Sequence, residues 1–147
     1  MGAHPYFYFV RHKPDLQEAL EELRQQEFQA GRYNPVIPFP NFTIGPHSPS
    51  PGAQHASIEE AFDDADADGT RSILDLDQIS DEPEFGAVTP VPAEILQELY
   101  NTIHPTREMV EHNMDFLDDI DRGHGVSIIL YKDDKPDEIF FAGYSYD

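Results

Sequence analysis

Apolar positions change period several times along the chain. Tyr6 to Val10 is an unbroken aromatic and β-branched run. It predicts a strand with two apolar faces, set inside a sheet or covered by helices. Pro14-Asp15 opens a helix, and Asp15 and Glu18 have the spacing of a capping box. Leu16, Ala19, Leu20 and Leu23 form one stripe at helical spacing, and Gly31 is its natural stop. From about 32 to 54 the chain is proline-rich, and no regular element survives that density. Val36, Ile37, Phe39, Phe42 and Ile44 argue that this loop packs across the domain up to Ile44, followed by a Pro/Ser stretch.

Ser57 and Glu60 repeat the capping-box spacing ahead of a short helix to Ala65. Ile73 to Ile79 and Phe85 to Val91 read as strands. Ile95, Leu96, Leu99, Tyr100 and Ile103 trace the clearest helical stripe, started by Pro92 and broken by Pro105. Thr106 caps a further helix, with Met109, Val110, Met114, Leu117 and Ile120 on its apolar face and Gly123 at its end. Val126 to Tyr131 and Ile139 to Tyr144 form a hairpin around Asp133-Asp134-Lys135-Pro136. The last strand is hydrophobic enough to require pairing, either centrally or against the N-terminal strand. Strands and helices do not alternate regularly. The expected fold is therefore α+β, a mostly antiparallel sheet with helices packed on one face, forming a single domain over residues 1–147.

Composition narrows the function. Asp and Glu number 29 against nine Lys and Arg, a formal net charge of −20. Such a chain is not expected to bind nucleic acid or to dock on an anionic membrane. There is no cysteine, so thiol nucleophiles, disulfide scaffolds and Cys-ligated metals are excluded. A 39% hydrophobic and 12% aromatic content is enough for a packed core. The short N-terminal apolar run precedes Arg11-His12-Lys13, the wrong order for a secretory signal, which points to the cytoplasm.

Residues 64–75 carry the most specific motif. Asp64, Asp66 and Asp68 alternate ahead of Gly69, with Thr70, Ser72 and Asp75 following. The spacing resembles an EF-hand calcium loop, and the resemblance implies Asp64, Asp66, Asp68 and Asp75 as metal ligands and calcium as the cofactor. Arg71 stands where such loops carry an apolar residue, Asp75 where they carry Glu, and no second loop of this form exists. The alternative is an acidic helix end running into a turn.

Arg32, with its neighbour Tyr33, and Arg71 sit beside glycines in loops and are candidate ligand-binding residues. Their alternative role is to satisfy nearby carboxylates or carbonyls. The seven histidines fall in no metal-binding spacing, and no catalytic set stands out. Segments 31–35 and 69–75 resemble those of small uncharacterised acidic bacterial proteins, a resemblance that implies no activity.

Three functions remain. The first is an acidic cytoplasmic protein that binds a basic macromolecular partner, in an immunity-like or inhibitory role; acids clustered at 63–68, 75–84 and 115–121 favour it. The second is a single-site calcium- or small-ligand-binding protein built on the 64–75 loop. The third is an enzyme, which would need a pocket holding Arg32 or Arg71 with a histidine nearby. The aromatic content leaves the oligomeric state open.

Overall fold

A computed structural model describes residues 4–37 and 48–146. Phe39, Phe42 and Ile44 lie outside the described residues. The strands are β1 (Pro5–Arg11), β2 (Gln78–Ile79), β3 (Ala87–Pro90), β4 (Gly125–Lys132) and β5 (Lys135–Tyr144). They form one sheet in the order β1-β5-β4-β3-β2. The long ladders are antiparallel: β1 pairs with β5 from Pro5↔Tyr144 to Arg11↔Glu138, and β4 pairs with β5. The hydrophobic C-terminal strand thus lies between the N-terminal strand and its hairpin partner. Short parallel ladders add β3 to β4 and β2 to β3. The fold is α+β on a mixed, mostly antiparallel sheet.

Among the described residues four helices accompany it: α1 (Leu16–Ala30), α2 (Ile58–Ala65), α3 (Ala93–Tyr100) and α4 (Arg107–His112). Their starts follow the sequence signals. Asp15 accepts from the backbone N–H groups of Gln17 and Glu18, Ser57 from that of Glu60 and Thr106 from that of Met109. Gly31 ends α1 in the left-handed region at φ 75°.

The helices cover both faces of the sheet, not one. Tyr6, Tyr8, Ile139 and Phe141 pack against Leu20 and Leu23 of α1, Ala61 of α2, and Ile73, Leu74 and Leu76. Phe7, Phe9, Phe140 and Ala142 alternate to the other face. There they meet Leu96 of α3, Val110 of α4 and Leu117. Two physical reasons oppose a single helical layer. β1 and β5 are apolar on both faces, so each face needs cover. The parallel step from β3 to β4 also requires a long crossover, which α3, α4 and a 3₁₀ turn at Asp115–Asp119 supply.

Several elements are shorter than their patterns predict, β3 covering only Ala87–Pro90 of the Phe85 to Val91 run. Ile73 to Ile79 is a 3₁₀ turn over Ile73–Asp75 followed by the two-residue β2. Ser72 caps the Leu74 N–H, and the Asp75 and Leu76 N–H groups donate back to the Ser72 and Ile73 carbonyls, which closes a turn where a strand would leave those groups for a ladder. The helix begun at Thr106 stops at His112, where Asn113 turns extended and its side chain accepts from the Asp115 N–H. Ile95 and Ile103 are also exposed, so only part of the α3 stripe enters the core. No helix among the described residues is long and apolar enough to cross a membrane.

Candidate functional site

A cleft of about 440 Å³ opens where α1, α2, the 73–75 turn, the approach to β3 and the residues after β5 converge. Arg24 of α1, Phe62 and Asp63 of α2, Asp75, Asp77, Phe85 and Tyr146 line it. Phe85 is 60% exposed and Phe62 37%. The Tyr146 ring stacks on Phe85 at 4.9 Å between centroids and meets Phe62 edge-on at 6.3 Å.

Backbone geometry holds this aromatic wall. Gly123, at φ 76°, passes directly beneath Phe85, where a β-carbon would come within 2.2 Å of the ring. The Gly86 N–H donates to the Gly123 carbonyl at 2.8 Å, and the Asp77 N–H donates to the Gly86 carbonyl at 3.0 Å. These bonds fix the 85–86 segment between the segments that carry Asp77 and Gly123.

The floor is polar. Asp75 is 4% exposed. Its Oδ1 accepts from the Thr70 N–H and the Thr70 hydroxyl, each at 2.7 Å. Its Oδ2 is buried and has no hydrogen-bond partner. Burial pushes the Asp75 carboxyl up to about 6, against the opposing pull of Thr70, the Arg71 N–H and Arg24. Arg24 donates to Glu21 at 3.3 Å and to the Leu74 carbonyl at 3.2 Å, while its Nε is buried without a partner. Burial raises the Tyr146 phenol well above its ordinary value, helped by Asp75 and Asp77, so the ring stays neutral.

Two residues that line the cleft, Asp75 and Arg24, thus each carry a buried polar atom without a partner. Unsatisfied groups of this kind are uncommon in folded proteins, and a carboxyl raised by burial in a cleft marks a candidate functional site. Glu59, Asp63, Asp75 and Asp77 outnumber Arg24, so the cleft favours a cation. Its aromatic faces suit a cation as well.

The residues singled out in the sequence have mostly different surroundings. Arg32 donates to the buried Glu27 through Nε at 2.7 Å and Nη2 at 2.5 Å, and also to Ser50. Tyr33 is fully buried, stacked on Phe28, and its hydroxyl meets His55 Nδ1 at 2.8 Å. His55 Nε2 in turn meets Asp64 Oδ2 at 2.9 Å. This Tyr33–His55–Asp64 chain ties the end of the proline-rich loop to α2. Arg71 is half-buried at a positive φ of 54°.

The structure does not gather the four candidate metal ligands. Asp64 is directed to His55 and Asp75 to Thr70, while Asp66 and Asp68 are exposed. Among the described residues no three His, Cys, Asp or Glu side chains are placed to hold a metal ion. A separate cleft beside Arg32 is lined by Glu27 and Arg107 and carries no histidine.

Of the sequence candidates only Asp75 lines the large cleft. Arg24, Phe62, Phe85 and Tyr146 were not singled out. Phe85 carried a signal, a large apolar side chain between Glu84 and Gly86 outside any helical stripe. The chain matches no protein-family model, no curated protein and no solved structure.

Proposed function

We propose that this is an acidic cytoplasmic binding module that takes a basic protein partner through the Phe62–Phe85–Tyr146 cleft. The observation that carries the reading is an exposed aromatic wall rimmed by carboxylates in a chain of net charge −20. Charge steers a basic surface toward the protein, and the aromatic wall supplies the central anchor of the contact. An arginine side chain is the preferred occupant. Its planar guanidinium stacks on Phe85 and Tyr146 and donates in a fork toward carboxylates. Occlusion of the partner's basic surface gives the protein an inhibitory or immunity-like role.

A defined probe tests this. Hexa-arginine is titrated at low and physiological salt and followed by amide NMR. The expected shifts concentrate at Glu59 to Asp63, Asp75 to Asp77, Phe85, Gly86 and Tyr146. Phe85→Ala weakens binding roughly tenfold, as expected for loss of an aromatic anchor. Shifts spread evenly over every acidic cluster, with no effect of Phe85→Ala, would reduce the interaction to bulk charge and overturn the reading.

A further inference from the structure

A second cleft lies on the opposite helical layer. It measures about 310 Å³, near the lower end of the range of about 300–1,000 Å³ for small-molecule sites. Its walls are apolar and conformationally fixed: Pro83, Pro90 and Pro92 with Ile95, Phe116 and Ile120. Three prolines leave this wall poor in N–H donors.

Two observations mark it as more than a gap in packing. Thr89 is 9% exposed, and its hydroxyl is buried with no hydrogen-bond partner. Thr89 faces Val126 across the β3–β4 ladder, and both residues line the cleft. Val126 packs against the core cluster under α3, so the Thr89 side chain stands on that same face of the sheet. Second, Ile95 of α3 is 40% exposed although the α3 stripe marks it as a core position. It lines the cleft instead of completing the core.

The rim decides the charge of the ligand. Asp81, Asp119 and Asp121 surround the mouth, and among the described residues His124 is the one basic side chain lining it. His124 Nδ1 lies 3.0 Å from the Arg122 carbonyl and donates to it, which turns Nδ1 away from a ligand. A carboxylate or phosphate ligand is opposed by this rim, and an amine is favoured.

We propose that this cleft binds a small hydrophobic amine whose far end carries a hydroxyl. The apolar body rests on Ile95, Phe116, Ile120 and Val126, the amine meets Asp119 and Asp121, and the ligand hydroxyl pairs with Thr89 Oγ1. The site lies on the other helical layer from the Phe62–Phe85–Tyr146 cleft and meets it where His124 packs edge-on against Phe85 at 6.2 Å, so Thr89, Ile95 and Ile120 are the reporters that tell the two apart.

Three probes of matched size separate the parts. Tyramine carries both groups, phenethylamine lacks the hydroxyl, and 3-(4-hydroxyphenyl)propionate reverses the charge. Titrations followed by NMR are expected to shift Thr89, Ile95, Ile120 and His124, with tyramine binding about five- to tenfold more tightly than phenethylamine, the effect of one buried hydrogen bond. The propionate binds most weakly. Thr89→Val keeps the shape and abolishes the preference for tyramine over phenethylamine. Equal affinity for the two amines in the wild-type protein, or shifts located elsewhere, would overturn the proposal without recourse to any variant.

Discussion

The ring of Tyr146 lies directly over Gly69: a β-carbon at position 69 would come within 2.6 Å of Cδ2 of the ring and 3.0 Å of Asp75 Oδ2. Gly69 also adopts φ +68°. The glycine at the turn of the candidate calcium loop lets an aromatic ring close over a buried carboxyl. Gly69→Ala is expected to destabilise the protein by on the order of 3 kcal/mol, combining left-handed backbone strain with steric overlap. In a Tyr146→Ala background the overlap with the ring disappears, and the same change should cost about 1–2 kcal/mol. Urea melts of the four proteins measure this coupling. Strict additivity would show that the ring does not rest on Gly69.

The raised Asp75 carboxyl makes a signed prediction. Its folded-state value of about 6 lies above the ordinary 3.8. The native state therefore holds this proton more tightly than the unfolded chain does. The contribution is fully present below about pH 4 and is lost as pH rises through 6, a change on the order of 3 kcal/mol. Other acids titrate in the same range, so the difference between wild type and Asp75→Asn is the informative quantity. Relative to the variant, wild type should lose stability between pH 4 and pH 6.5 in denaturant melts. Parallel pH profiles would show that Asp75 titrates normally.

Local features were the legible ones. Asp15, Ser57 and Thr106 cap their helices and Gly31 ends one because each signal acts within four residues of the element it controls. The C-terminal hairpin was legible for the same reason. The candidate site was not. Phe62, Phe85 and Tyr146 lie on three separate segments, and nothing local says that their rings meet. Asp75 was singled out, but as a ligand beside Asp64, and the fold turns those two carboxylates toward different partners. In a chain with 29 acids, spacing alone does not reveal which of them converge. The Ile73 to Ile79 run begins as a turn because local hydrogen bonds, from the Leu74 N–H to Ser72 and from the Thr70 N–H to Asp75, compete with a strand ladder.

The Glu27–Arg32 pair separates two roles for Arg32. Glu27 is 3% exposed, and the guanidinium reaches it through two nitrogens. Arg32→Met strands a buried carboxylate and is expected to cost about 3–5 kcal/mol. Glu27→Leu combined with Arg32→Met removes both charges and should recover most of that loss. The midpoints of urea unfolding report both values. A neutral Arg32→Met would instead leave the guanidinium available for a ligand.

The dispersal of Asp64, Asp66, Asp68 and Asp75 makes a prediction about calcium. A site with a dissociation constant of about 10 μM would stabilise the fold by roughly 2.7 kcal/mol at 1 mM calcium. The observed geometry predicts instead that calcium and magnesium raise the melting temperature equally, by screening the negative charge. Thermal melts in EDTA, magnesium and calcium distinguish the two. A calcium-selective rise that vanishes in Asp66→Ala would establish the loop as a metal site.

The β4–β5 hairpin closes on Asp133 and Asp134, both at positive φ, 53° and 63°, between the paired residues Lys132 and Lys135. A two-residue loop with both φ values positive is a type I′ turn, for which Asn-Gly is the preferred sequence. Two adjacent aspartates thus hold a strained backbone and repel each other. Asp134 also meets His104 at 2.8 Å, but the aspartate side chain is 83% exposed, so the pair contributes little to stability. Asp133→Asn with Asp134→Gly is expected to stabilise the protein by about 1 kcal/mol, a rise of about 3 °C in melting temperature for a chain of this size. Backbone and charge contributions respond differently to salt. A gain that survives at 1 M NaCl belongs to the turn, because charges there are screened beyond about 3 Å. A gain that disappears at high salt would show that relief of repulsion, and not the left-handed backbone, limits this hairpin.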